Sequence, residues 1–195
     1  MKTNKERIEM AATTIYAKHY KRGIPAKVML KILKAEGIKF REIDCGEDFL
    51  GALIKNPNGS LYLFVNKSIS NEGRKNFTIA HEFGHYTLQH LLTKSSFYCT
   101  ENEIFCEDNI SAQESEANCF ANYYLLPRDR VRNEFCKWHN WRFKGYNKNF
   151  LFVNVENKKS YSDWKAISGK LTKMFDVSMI TLKICLVELG LINNF

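Results

Sequence analysis

The sequence predicts an α+β domain: a small sheet with a hairpin, set beside a helix that carries His-Glu-x-x-His and a second helix that carries a glutamate. Three observations predict it. Residues 76–90 read as helix, because Phe77, Ala80, Gly84, Leu88 and Leu91 recur at steps of three and four. Two strand-like runs, residues 49–54 and 61–66, flank the turn formers Asn56-Pro57-Asn58-Gly59, which predicts a hairpin. Residues 111–126 return to helical spacing, with Glu114, Ala117, Asn118, Ala121 and Leu125 on one face and Pro127 as the stop.

The other elements follow in order. Residues 4–21 form a first helix, with Ile8, Ala11, Ala12, Ile15 and His19 on one face. A lone histidine such as His19 on a helix face is read as structural. Pro25 opens a second helix carrying Val28, Met29, Ile32 and Leu33, and Gly37 closes it. Residues 38–43 alternate apolar and polar as a half-buried strand does. Ser70 or Asn71 caps the motif helix, with Glu72 near its positive end. Residues 93–109 lack periodicity and carry Glu101, Glu103, Glu107 and Asp108, so a long acidic surface loop is expected. A short helix follows at residues 128–138, then a lysine- and asparagine-rich segment around a strand-like 150–153. The chain ends in helices at residues 163–174 and 179–189, separated by Asp176-Val177-Ser178.

Composition narrows the classes of function. At 195 residues, 45% hydrophobic and 13% aromatic, the chain has apolar material for a packed core. No apolar run approaches the eighteen or so residues that span a bilayer, so a soluble, cytoplasmic protein with no membrane partner is expected. The cysteines Cys45, Cys99, Cys106, Cys119, Cys136 and Cys185 form no Cys-x-x-Cys pair and are expected as thiols. The net charge of +8 comes from dispersed lysines, which favours a solvated surface over a nucleic-acid face.

The chemistry is concentrated in one helix. His81 and His85 lie one turn apart on the same face, so both imidazoles reach one ion. Glu82 lies about 100° round, placed to hold the attacking water rather than the ion. Zinc in such a site needs a third protein ligand and an open position. A third histidine six residues after His85, with a glycine midway, is excluded because Leu91 and Leu88 stand there; His90 is one residue off and points elsewhere on an extended helix. The third ligand is then Glu114 or Glu116 on the following helix. Spacing favours Glu114, which shares its face with small Ala117 and Ala121 and with Asn118, an orienter for a liganding histidine. Glu116 lies about 200° away and is expected in solvent or a salt bridge. Ser111-x-x-Glu114 also fits a capping box, the competing role for Glu114. This set predicts peptide hydrolysis with Glu82 as general base and an extended substrate paired to residues 61–66. Tyr123, Tyr124 and His139 are the candidate oxyanion donors.

Arg74-x-x-Phe77-Thr78-Ile79-Ala80-His81-Glu82-Phe83-Gly84-His85, followed by Glu114-x-x-Ala117-Asn118-x-Phe120-Ala121-x-x-x-Leu125-Leu126-Pro127, resembles the ImmA/IrrE-type metallopeptidases. The hairpin ending Leu63-Phe64-Val65-Asn66 is similar to theirs as well, and the resemblance spans roughly residues 5–135. It implies a zincin-like (gluzincin-type) domain and a bacterial or phage-encoded zinc endopeptidase. It also implies cleavage of a helix-turn-helix repressor, relieving repression of a mobile element or stress regulon. The family pattern sets the third ligand at the glutamate four before the asparagine, which is Glu114. Residues 142–160 have no counterpart in the family. Residues 171–178, leading into Leu182 and Leu186, are similar to helix-turn-helix segments. With two such helices and no third, packing or substrate docking is favoured over DNA binding. The division expected is residues 1–140 as the metallopeptidase domain and 141–195 as a basic insertion and C-terminal helical extension packed on it. The rival class is a non-catalytic, zinc-stabilised regulator that binds a repressor or DNA.

Overall fold

A tight turn sets the sheet. Gly59 adopts φ 81°, which costs a residue without Cβ nothing, and its amide donates to the Asn56 carbonyl at 2.8 Å. The flanking strands β2 (Phe49–Lys55) and β3 (Leu61–Asn66) pair antiparallel, with Leu53 opposite Leu63. Strand β1 (Ile38–Ile43) joins β3 in parallel, and β4 (Ser96–Thr100) joins β2 antiparallel, giving the order β1-β3-β2-β4. The computed structural model describes residues 3–19, 23–46, 48–92, 95–100, 111–142 and 150–195. Among the described residues it holds seven α-helices and this four-stranded sheet, the α+β class expected.

Two expectations about the sheet are corrected. β3 is bonded to a neighbour on each side, so residues 61–66 have no open edge for a substrate. Residues 96–100, expected within a loop, are the end strand β4: five residues are too few to show alternation, and pairing with β2 decides their conformation. Residues 101–110, with the acidic run and Cys106, lie outside the described residues. So do residues 143–149, and the strand expected at 150–153 is a single bridge from Leu151 to Ile192.

The helices follow their end signals. α1 (Asn4–His19) buries Ile8, Ala12 and Ile15; α2 (Pro25–Ala35) starts on its proline and buries Met29, Ile32 and Leu33. His19 is structural as expected, with Nε2 2.6 Å from Glu36. In α3 (Glu72–Thr87) the Asn71 side chain accepts from the Arg74 amide, and in α4 (Ala112–Leu125) the Ser111 hydroxyl accepts from the Glu114 amide. α5 (Arg128–Arg142), α6 (Lys158–Phe175) and α7 (Met179–Glu188) complete the chain. α6 begins five residues before the expected start, because Asn157 caps it by accepting from the Lys159 and Ser160 amides.

Packing layers these elements so that α3 lies between the sheet and α4, with α1 against α4. Gly84 makes the α3–α4 approach possible: a Cβ there would stand 3.0 Å from Phe120 Cδ1. Phe120, Phe83 and Tyr124 are buried together, Phe83 meeting each of the other two edge-on with centroids 5.8–5.9 Å apart. The turn between α6 and α7 presses on the start of α3. A Cβ on Gly73 would lie 2.3 Å from the Ser178 amide nitrogen, and Asn76 Nδ2 donates to the Asp176 carbonyl at 2.9 Å.

Candidate metal centre

His81 and His85 project from α3 toward α4, where Glu114 sits one turn past the Ser111 cap. All three are buried. His81 Nε2 lies 3.0 Å from Glu114 Oε2 and 3.1 Å from His85 Nε2, and His85 Nε2 lies 3.3 Å from Glu114 Oε2. Donors on a tetrahedral zinc with bonds of about 2.0–2.1 Å stand about 3.3 Å apart, so the triangle has the size that such an ion requires. His81 Nδ1 is 2.8 Å from Asn118 Oδ1, which accepts its proton and leaves the Nε2 lone pair turned toward the other two donors. Lone pairs of this kind, crowded on a buried carboxylate, repel unless a cation stands among them. Among the described residues this trio is the group of side chains able to hold a metal ion.

Electrostatics leave His85 and Glu114 in binding form. Burial takes the His85 pKa down to about 4, assisted by His81 and opposed by Glu114. Burial alone would raise Glu114, but the neighbouring His81 and His85 outweigh it and bring it down to about 2. A neutral imidazole and an ionised carboxylate are the forms a dication takes. The capping-box alternative for Glu114 is half realised: Ser111 caps the helix, while the Glu114 carboxylate turns to the histidines.

Glu82 is fully buried beside the trio's helix face and stands outside the trio. Its Cγ lies 3.4 Å from where a Cβ on Gly51 would be, and Thr78 Cγ2 lies 2.7 Å from the same point. Gly51 sits at the β2–β4 register shift, so the strand has a bare backbone where the general-base candidate passes. Tyr123 and Tyr124 are not at the trio. The tyrosines lie nine and ten residues past Glu114, about 14 Å along the helix. Tyr124 packs in the aromatic core, and His139 stacks on Phe135 in α5.

Two neighbours were missed or misplaced by sequence reasoning. α3 ends at Thr87, and Gln89 takes φ 62°, so the chain doubles back and a 3₁₀ turn (His90–Leu92) returns His90 to the site. Its Nδ1 is 2.9 Å from His85 Nδ1. An extended helix, as the sequence suggested, would have sent it away. Phe97 of β4 stacks flat on the His85 ring, with centroids 4.0 Å apart at 18°. Glu116 is salt-bridged as expected, to Arg7 at 3.0 Å, and also meets His90 at 3.1 Å.

No curated protein matches the chain. A family model does: Peptidase_M78, the IrrE N-terminal-like domain, matches residues 27–144, a span that contains the whole trio, Glu82 and Asn118.

Proposed function

Because the chain belongs to the Peptidase_M78 family, which carries a metallopeptidase-type function, we propose that it is a zinc-dependent endopeptidase acting on a helix-turn-helix repressor. The observation that carries the zinc reading is the buried triangle of His81, His85 and Glu114, with edges of tetrahedral size. Bound zinc would supply Lewis acidity, polarising the scissile carbonyl and acidifying water toward neutral pH.

The protein's own residues do the rest. His81, His85 and Glu114 hold the ion, and Asn118 Oδ1 fixes the His81 ring. The Glu82 carboxylate takes the proton from the attacking water and gives it to the leaving amine. Among the described residues β4 is the end strand of the sheet, and its Phe97 lies on the His85 ring, so a substrate strand added along β4 runs beside the centre. The substrate reading draws on the motif resemblance rather than on a contact. The C-terminal helices favour packing and substrate docking over DNA contact, because their connecting turn is pressed against α3. The division at about residue 140 is retained within this reading, as is an intracellular setting.

The test incubates the protein with a purified helix-turn-helix repressor, with and without a chelator. Chelator-sensitive fragments support the proposal. Intact co-elution without cleavage supports the rival, a non-catalytic zinc-stabilised binder.

A further inference from the structure

A histidine that binds a cation through one ring nitrogen is aimed by what the other nitrogen meets. His85 Nε2 faces His81 and Glu114, so its proton belongs on Nδ1. That atom meets neither a carbonyl nor a carboxylate but a second imidazole, His90 Nδ1, at 2.9 Å. Two ring nitrogens at this distance need one donor and one acceptor. His90 Nδ1 therefore accepts, and a neutral His90 ring then carries its proton on Nε2. His90 Nε2 lies 3.1 Å from Glu116 Oε2, and a carboxylate can only accept. The other Glu116 oxygen accepts from Arg7 Nη2 at 3.0 Å and from Asn4 Nδ2 at 2.9 Å. Every donor and acceptor along the line points one way, and the line ends in a lone pair on His85 Nε2.

We infer that His90 is a positioning residue for the metal centre, held in one tautomer by a Glu116 that α1 anchors through Arg7 and Asn4. This rests on His81, His85 and Glu114 being the zinc ligands. The two histidine ligands are thus oriented by different means. His81 leans on a neutral amide of α4, whereas His85 leans on an imidazole backed by a carboxylate, which makes His85 the more electron-rich donor. The 3₁₀ turn after Gln89 gains a purpose in this reading. The left-handed Gln89 carries a conformational cost, and it brings His90 under His85.

The test measures zinc affinity of the full chain by competition with a chromophoric chelator, beside the unfolding temperature of the metal-stripped protein. His90→Ala is expected to weaken zinc binding about 10- to 100-fold. His90→Asn should recover most of the loss, because its Oδ1 takes the place of Nδ1 as acceptor. Nitrogen-15 NMR of histidine in the zinc-loaded protein should show His85 protonated on Nδ1 and His90 on Nε2. Wild-type affinity in His90→Ala overturns the inference. So does a loss that follows the stability of the metal-stripped protein and is not restored by asparagine, and so does the opposite His90 tautomer. Failure of the underlying zinc reading looks different: the unaltered protein binds no zinc, or His85→Ala binds it undiminished.

Discussion

Gly84 and Phe120 fix the separation of the two helices that share the candidate metal centre. With 3.0 Å between the ring and the place of a Gly84 Cβ, α3 and α4 have no room for a methyl group at this crossing. Phe120 is fully buried between Phe83 and Tyr124, so it cannot turn away.

Gly84→Ala therefore sets two effects against each other. Alanine gains about 1 kcal/mol of helix propensity over glycine, while overpacking a core contact costs about 1–3 kcal/mol. The rigid surroundings decide for the second. We expect a net loss of about 1 kcal/mol by urea unfolding of the metal-free protein, with a larger loss of zinc affinity as Glu114 moves off the histidines. Stabilisation with unchanged zinc binding would show that the helices separate freely.

Glu114 and Glu116 are two residues apart and part company in the fold: one meets both histidines of the trio, the other meets Arg7 and His90. Glu114→Gln is expected to weaken zinc binding by more than about 100-fold, whereas Glu116→Gln should lose about tenfold or less. At zinc concentrations about 100 times the dissociation constant, the ion adds about 2.7 kcal/mol to the unaltered protein. For a chain of this size that raises the unfolding temperature by about 5–10 °C. The rise should vanish with a chelator and in Glu114→Gln. A rise retained in Glu114→Gln would move the third ligand elsewhere.

Away from the site, Glu36 ties α1 and α2 to the motif helix. Burial by itself would raise its pKa, but hydrogen bonds from Lys18, His19 and Tyr86 prevail and bring it down to about 2 from 4.5. The folded pKa lies below the unfolded one, so the stabilisation is full above pH 4.5 and drains away as pH falls toward 2. At 1.36 kcal/mol per unit, reduced for partial exposure, it amounts to about 2 kcal/mol. The stability gap between the parent and Glu36→Gln, read from urea midpoints, should be widest near neutral pH and shrink between pH 4.5 and the lowest pH at which both stay folded. An unchanged gap at pH 3 would remove Glu36 from this role.

Much of the centre could be read from the chain because its parts are local. His81, Glu82 and His85 share one helix, and Glu114 shares another with Asn118, so helical period alone placed each on its face. What the period could not carry was the end of α3. Gln89 in the left-handed region carries no composition signal of the kind glycine would give, and the reversal that brings His90 home depends on it. β4 escaped notice for a related reason: its strand character comes from pairing with β2, not from its own five residues. Phe97 was hidden with it, and the internal position of β3 comes from its parallel pairing with β1, a contact that the local sequence of neither strand carries.

The central claim, zinc-dependent peptide hydrolysis with Glu82 as the base, is tested most directly by Glu82→Gln. Zinc content and repressor cleavage are measured on the same preparation. The expected result is one zinc per chain, as in the parent, with cleavage slowed by a factor on the order of 10²–10⁴. Cleavage at the parent rate with zinc in place would contradict it.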